Sequence, residues 1–106
     1  MDTPKVLRKD EALDIVRRYK ELIAPRFSPD TKVMMFGSYS KGMAHEWSDI
    51  DVAVIVPKIE KGKWFDTSVS LGRDVDKVSL LIEPILLEYN EDSPIYREVM
   101  RTGIVV

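Results

Sequence analysis

The stretch FGSYSKGMAHEWSDIDVAVIV, residues 36–56, decides the fold of this sequence and carries most of its chemistry. Its second half contains the run IDVAVIV, residues 50–56, which is apolar and rich in β-branched residues and therefore predicts a buried strand. The run KVMMF, residues 32–36, ends at the first residue of this stretch and predicts a shorter strand. This strand ends at Gly37-Ser38, so the stretch predicts a strand, a connection and a second strand.

The rest of the chain predicts helices that alternate with strands. Apolar residues recur at helical spacing over residues 6–24 and predict a helix, with Thr3 and Pro4 suited to its cap and first turn. Further elements are predicted as a short helix at 38–43, a helix at 65–77, a strand at 80–87 and a helix at 94–102. We therefore expect an α/β sheet with helices packed against it. The apolar end, residues 104–106, favours strand pairing or a covered surface.

Composition excludes several classes of protein. The 106 residues contain no cysteine and one histidine, His45, which excludes disulfide scaffolds, thiolate zinc sites and multi-histidine metal sites. No apolar run approaches the length of about 18 residues that a membrane helix needs, and the N-terminus lacks a secretory signal. The net charge is −2 and no basic tract is present, so sequence-independent nucleic-acid binding is disfavoured. We expect one domain over residues 1–106 and a cytoplasmic location.

Two aspartates begin the second predicted strand. Asp49 and Asp51 are two residues apart and should project to the same face, while Ile50 and Val52 turn to the other. Two adjacent carboxylates repel each other unless a cation lies between them, and carboxylate oxygens suit Mg²⁺. Asp51 lies within an apolar strand, where an unpaired charge costs several kcal/mol. The pair therefore predicts a metal site.

Two further groups belong to the candidate site. Glycine lets a ligand approach the backbone after the first strand, and the Ser38 hydroxyl and the Lys41 ammonium suit phosphate. In the third predicted strand Glu83 is the only charge on an apolar face, which indicates either a surface residue at the strand end or a functional carboxylate. Glu88 would face the other side, but a one-residue bulge near Pro84 would exchange the two glutamates, so both stay open.

Together these residues resemble the DNA polymerase β-like nucleotidyltransferase superfamily. Its pattern of an apolar residue, Gly-Ser, about ten residues and Asp-x-Asp matches residues 36–51, with Glu83 as the later carboxylate. The stretch GSYSKGMAHEWSDIDVAVIV and the ending SPIYREVMRTGIVV look like the minimal nucleotidyltransferase (MNT) branch over about residues 33–106. The MNT branch usually has arginine at the position of Lys41. Lysine keeps the positive charge but cannot make the two parallel hydrogen bonds that arginine makes to a phosphate. The resemblance implies a nucleotidyltransferase-like mixed β-sheet of three or more strands.

The same resemblance implies a function. Catalytic and metal-binding roles fall to Asp49, Asp51 and Glu83, with one or two Mg²⁺ ions, and Gly37-Ser38 and Lys41 would bind the phosphates of ATP. Proteins of the MNT branch are commonly paired with a HEPN-type toxin, so the resemblance implies an antitoxin that transfers AMP to a partner hydroxyl. Two alternatives are a nucleotide-binding module that masks its partner without catalysis and a small-molecule nucleotidyltransferase. Homo- and hetero-oligomers both stay open.

Overall fold

The computed structural model describes residues 6–106, which form three helices and one four-stranded sheet. The elements in chain order are α1 (Lys9–Ile23), β1 (Lys32–Phe36), β2 (Ile50–Val56), α2 (Trp64–Arg73), β3 (Ile82–Glu88), α3 (Pro94–Thr102) and β4 (Ile104–Val105). Single 3₁₀ turns follow α1 at Ala24–Arg26 and α2 at Val75–Lys77. The bounds predicted for β1, β2 and α3 are confirmed.

The sheet is mixed, as the resemblance implied. Its strand order is β3-β2-β1-β4, with β1 antiparallel to β2 and to β4, and β2 parallel to β3. The short connection from β1 allows β2 to return antiparallel, whereas α2 carries the chain back so that β3 runs parallel to β2. Phe36 thereby lies opposite Asp51, and Asp51 lies beside Glu83.

Helices cover both faces of the sheet. Alternate residues of β2 point to opposite faces: Val52 and Val54 pack with α1 and α2, while Ala53 and Ile55 pack with α3. The first core is completed by Val16, Tyr19 and Ile23 of α1 and Leu71 of α2; the second by Met34, Phe36, Leu87, Tyr96 and Val99. Burial on both faces explains why β2 reads as a continuous apolar run after Asp51.

The predicted short helix at residues 38–43 is wrong. The chain there forms turns, in which the Lys41 N–H donates to the Gly37 oxygen at 3.1 Å and the Met43 N–H donates to the Ser38 oxygen at 2.9 Å. Gly42 adopts a φ of +71°, which ends any right-handed helix after one turn.

Other predicted boundaries shift by a few residues. Helix α1 begins at Lys9, where the Arg8 N–H donates to Glu11 Oε1 at 2.9 Å, instead of at residue 6. The cap and first-turn roles predicted for residues 3 and 4 lie outside the described residues. Helix α2 ends at Arg73, and β3 spans Ile82–Glu88 instead of 80–87. Among residues 6–106 no helix is long and apolar enough to span a membrane.

The apolar C-terminus pairs with the sheet, as predicted. β4 pairs with β1 through Met34 and Met35, and the Val106 N–H donates to the Val33 oxygen at 2.9 Å. Lys20 Nζ of α1 donates to the Val106 oxygen at 2.7 Å. β4 therefore forms one edge of the sheet, and Val106 after it is fixed to α1.

Gly103 makes the tight passage from α3 to β4. A Cβ there would lie 2.5 Å from the Val99 oxygen, so we expect Gly103→Ala to lower the free energy of unfolding by about 1–3 kcal/mol. Gly72 of α2 is the matched control, because a Cβ there meets no atom within 4 Å. Gly72→Ala should raise the free energy of unfolding by about 0.5–1 kcal/mol. Urea denaturation of the two variants measures both changes, and equal midpoints for the two would contradict this account.

Candidate active site

Three carboxylates meet at one end of the sheet. Asp49 directly precedes β2, Asp51 is its second residue, and Glu83 is the second residue of β3. The parallel register places Asp51 beside Glu83. Asp51 and Ala53 are two residues apart in β2 and therefore point to the same face of the sheet. Ala53 packs with α3, so the three carboxylates lie on the face that α3 partly covers. The structure thus brings together the three carboxylates that the sequence singled out.

Gly37 is in direct contact with Asp51. A Cβ at Gly37 would overlap Asp51 Oδ2, so the carboxylate lies against a bare Cα. Gly37 also has a φ of +75°, a conformation that disfavours other residues. Glycine is therefore required here for two independent reasons. The contact joins the Gly-Ser and Asp-x-Asp motifs, which are ten residues apart in the chain, into one site.

The turn after Gly37 leaves backbone donors free. The Gly37 carbonyl oxygen accepts one hydrogen bond from the Lys41 N–H and another, at 2.9 Å, from Ser40 Oγ. The N–H groups of Ser38, Tyr39 and Ser40 have no partner among residues 6–106. Successive free N–H groups in a turn are suited to an anion, even though no helix begins here. Tyr39 itself is a core residue, because its buried hydroxyl accepts from the Leu7 N–H at 3.2 Å.

Helix α3 contributes Glu98, a residue that the sequence analysis did not identify. Lys41 Nζ lies 3.5 Å from Glu98 Oε1, and Arg101 Nη2 lies 2.5 Å from Glu98 Oε2. The hydrogen bond from Arg101 is the main reason that the pKa of Glu98 lies below its usual range. The Arg101 pair is visible in the sequence as an i, i+3 spacing. The Lys41 pair is not, because 57 positions separate the two residues.

The carboxylates carry uncompensated negative charge. Burial is the largest cause of the raised pKa of Asp51, the charge of Asp49 adds to it, and Lys41 opposes it. The neighbouring carboxyl group of Asp49, more than burial, raises the pKa of Glu83. Each shift reports a carboxylate that is disfavoured in its ionised form and would be relieved by a cation.

This donor set fits a magnesium ion shared with a substrate. Among the described residues no three acidic or imidazole side chains form a ready-made cage for an ion. Mg²⁺ does not need one, because it is commonly bound through one or two carboxylates together with phosphate oxygens and water. Asp49, Asp51 and Glu83 carry hard oxygen ligands of that kind, and a cation would relieve their mutual repulsion.

The competing residues lie elsewhere or have other roles. Glu88 is at the far end of β3, beside Val56, and its Oε1 accepts from the Ile59 N–H at 2.7 Å. Glu88 is therefore a structural residue, and no bulge exchanges it with Glu83. His45 and Trp47 lie in the loop before Asp49, where the Trp47 side chain is exposed.

Sequence comparison finds relatives along most of the chain. The family model for the nucleotidyltransferase domain matches residues 16–101. A protein of Methanocaldococcus jannaschii, named as a candidate protein adenylyltransferase, is 26% identical over 98 residues, which are 91% of this chain and 99% of that protein. The match therefore extends over most of this chain and nearly all of that protein.

Solved structures share the fold. A candidate nucleotidyltransferase from Sulfolobus solfataricus superposes with a TM-score of 0.69 at 21% identity, covering 98% of this chain and 90% of that one. A chain of a mutant toxin–antitoxin pair, MntA-HpeT, superposes with a TM-score of 0.50 at 21% identity, covering 95% and 72%. At these identities the likeness concerns the fold alone.

The raised pKa of Asp51 predicts a measurable effect on stability. Because its pKa is higher in the folded than in the unfolded state, the folded state binds more protons and the free energy of unfolding falls as the pH rises through the carboxyl range. Without metal, Asp51→Asn should therefore melt at a higher temperature than the wild type at pH 7, and the difference should shrink toward pH 4. Thermal unfolding at both pH values measures this.

Two comparisons sharpen that measurement. Mg²⁺ should raise the melting temperature of the wild type and leave Asp51→Asn unchanged, since a bound cation stabilises only the state that holds it. Asp30→Asn, in an exposed turn before β1, is the control for loss of one negative charge. An Asp51→Asn variant that melts below the wild type at pH 7 without metal would contradict the electrostatic account.

Proposed function

Since the chain belongs to the nucleotidyltransferase domain family, we propose that it transfers AMP from ATP to a hydroxyl group of a partner protein. The observation that carries this proposal is the contact of Gly37 with Asp51, beside Asp49 and Glu83. It combines a close backbone approach for phosphates with three carboxylates for metal. The M. jannaschii relative, which is matched over 99% of its length, supports a protein as the acceptor.

The turn after β1 is the proposed phosphate site. The free N–H groups that follow Gly37, together with the Ser38 hydroxyl, would donate to the β- and γ-phosphates of ATP. Lys41 would leave Glu98 for a phosphate oxygen, an exchange that is favoured because its present contact is long, at 3.5 Å, and half-exposed. Glu98 keeps Arg101 as its partner when Lys41 moves. The site is therefore prepared for an anion without an unpaired charge left behind.

The carboxylates would hold one or two Mg²⁺ ions. Asp49 and Asp51 are the proposed ligands on the nucleotide side, and Glu83 the ligand nearest the acceptor, because it lies on the edge strand. When bound, Mg²⁺ neutralises charge on the triphosphate and on the departing pyrophosphate. A bound cation would compensate the repulsion between Asp51 and Asp49. Metal binding would therefore be coupled to folding of this end of the sheet.

The chemical step is an in-line displacement at the α-phosphorus of ATP. The acceptor hydroxyl oxygen forms the new bond to phosphorus, and the bond between the α-phosphorus and the oxygen bridging to the β-phosphorus breaks. Pyrophosphate would leave, and Glu83 would accept the hydroxyl proton. Its exposure on β3 gives an acceptor direct access, whereas Asp51 is half-buried against Gly37. The products are an AMP ester of the acceptor and pyrophosphate.

The proposed acceptor is a HEPN-type toxin, which makes this chain an antitoxin. The shared fold with a chain of the MntA-HpeT toxin–antitoxin pair supports this choice, as does the protein adenylyltransferase name of the M. jannaschii relative. Modification of a hydroxyl in the partner would then silence it. Masking of the partner by simple binding is the alternative outcome, and catalysis distinguishes the two.

Loss of the two aspartates should abolish transfer. We expect the purified chain, with Mg²⁺ and ATP, to add one or more AMP units to the protein encoded by the adjacent gene. The Asp49→Asn/Asp51→Asn variant should be slower by about 100-fold or more, because metal-assisted charge stabilisation contributes several kcal/mol to the transition state. Intact-mass spectrometry measures the products. Equal modification by both proteins would contradict the metal role, and a stable complex without any mass shift would favour masking.

Lys41 should act on nucleotide binding more than on the chemical step. Lys41→Ala is expected to raise the KM for ATP at least about tenfold, since a hydrogen bond to a charged group contributes about 1.5–3 kcal/mol. Lys58→Ala is the matched control, because Lys58 is an exposed lysine at the opposite end of β2. Steady-state release of pyrophosphate measures both variants. An unchanged KM for Lys41→Ala would remove Lys41 from the phosphate site.

A further inference from the structure

A groove runs along the open edge of the sheet, beside the candidate active site. It has a volume of about 420 Å³ and lies where β3 meets the starts of α2 and α3. We call it the edge groove, and its lining residues are Trp64, Ser68, Pro84, Ile85, Leu86, Leu87, Glu91 and Ile95. Neither this groove nor a second cavity of about 360 Å³, at the other end of β2, is lined by any of the three carboxylates. The edge groove reaches Pro84, the residue that follows Glu83 in β3.

The backbone of β3 offers unpaired hydrogen-bonding groups to this groove. The Ile50 N–H donates to the Leu81 oxygen at 2.8 Å, and the Tyr89 N–H donates to the Val56 oxygen at 2.9 Å. In a parallel ladder these bonds mark the odd-numbered residues of β3 as those that face β2. The N–H and C=O of Leu86 and the C=O of Pro84 therefore point away from β2, where no further strand lies among residues 6–106.

The edge of β3 can pair with a short added strand but not with a long one. Pro84 lacks an N–H, and the Glu88 N–H is already donated to Glu91 Oε1 at 2.7 Å. Leu86 is thus the position in β3 that can both donate to and accept from a new strand. An antiparallel partner residue opposite Leu86 would exchange two bonds with it, and the Pro84 oxygen would accept one more. Extended pairing of two copies through β3 is disfavoured by the same features.

The walls of the groove are apolar, with one unsatisfied hydroxyl. Trp64 is 53% exposed and Ile95 is 40% exposed, and both line the groove together with Ile85. Ser68 Oγ is buried and has no hydrogen-bond partner among the described residues.

Charge indicates the composition of the occupant. Glu91 is the charged residue that lines the groove, Glu83 directly precedes the lining residue Pro84, and no lysine or arginine is among the lining residues. The acidic surroundings disfavour nucleic acid and favour a basic segment. Unpaired backbone groups at strand spacing are matched by a polypeptide main chain, and the apolar walls by its alternate side chains.

We propose that the edge groove docks an extended, basic polypeptide segment of the acceptor protein, which adds as a strand to β3 and presents its hydroxyl to Glu83. The identity of this segment as the acceptor rests on the proposed function, whereas its docking does not. Leu86 lies three residues, or about 10 Å, from Glu83 at the usual rise of a strand. One segment of a few residues therefore spans both the docking position and the reacting hydroxyl.

The test combines a backbone measurement with transfer kinetics. Amide hydrogen exchange of Leu86 is followed in the wild-type chain, with and without the protein encoded by the adjacent gene. We expect its exchange to slow at least about tenfold on binding, because its N–H becomes hydrogen-bonded. Trp64→Ala should lower kcat/KM for the partner by about tenfold, as loss of an aromatic interface residue often does, with the KM for ATP unchanged. Val105→Ala, exposed on β4 at the opposite edge, is the control and should change neither.

The outcomes separate the docking from the function. Transfer of AMP by the wild type with unchanged exchange at Leu86 would overturn the docking proposal and leave the proposed function intact. Slowed exchange at Leu86 without any transfer would support the docking and contradict the transfer. Unchanged exchange without transfer would overturn both. Equal loss of kcat/KM in Trp64→Ala and Val105→Ala would also overturn the docking, because it would show a general effect instead of one at this edge.

Discussion

The contact between the bare Cα of Gly37 and the carboxylate of Asp51 is the constraint on which the rest of this structure depends. It fixes the end of β1 against the beginning of β2 and aims the following turn at the carboxylates. The cost is electrostatic, because a half-buried aspartate beside Asp49 is disfavoured in its ionised form. Burial of β2 on both faces supplies the stability that tolerates this charge. A bound cation would remove this electrostatic cost and so stabilise the same end of the sheet.

The site built on this contact has two unlike sides. Toward β1 lie the free N–H groups of the turn and Lys41, whose charge is held by Glu98 of α3. Toward β3 lies Glu83, followed by an open strand edge with apolar walls. A triphosphate suits the first side and a polypeptide hydroxyl the second, so donor and acceptor would approach the carboxylates from opposite directions. β4 forms the other edge of the sheet, so among the described residues β3 is the edge strand that carries one of the three carboxylates.

Most of the framework could be predicted from the sequence. The bounds of β1, β2 and α3 follow from short apolar runs and helical spacing, which depend on neighbouring residues alone. The placement of Asp49 and Asp51 on one face follows from the two-residue period of a strand. Glu83 was singled out for the same reason, as the charge on an apolar face. The helix predicted at residues 38–43 failed because the left-handed conformation of Gly42 ends it, a feature that composition does not reveal.

The sequence by itself therefore determined which residues form the strands, which carboxylates share a face and which motifs carry the chemistry, because these depend on local periodicity. Only the tertiary structure decided that Gly37 contacts Asp51, that Glu83 and not Glu88 lies beside the aspartates, and that Glu98 holds Lys41. It also decided that β3 is an edge strand whose unpaired backbone adjoins the site. These features depend on strand order and register, which are set by the packing of segments that are distant in the chain.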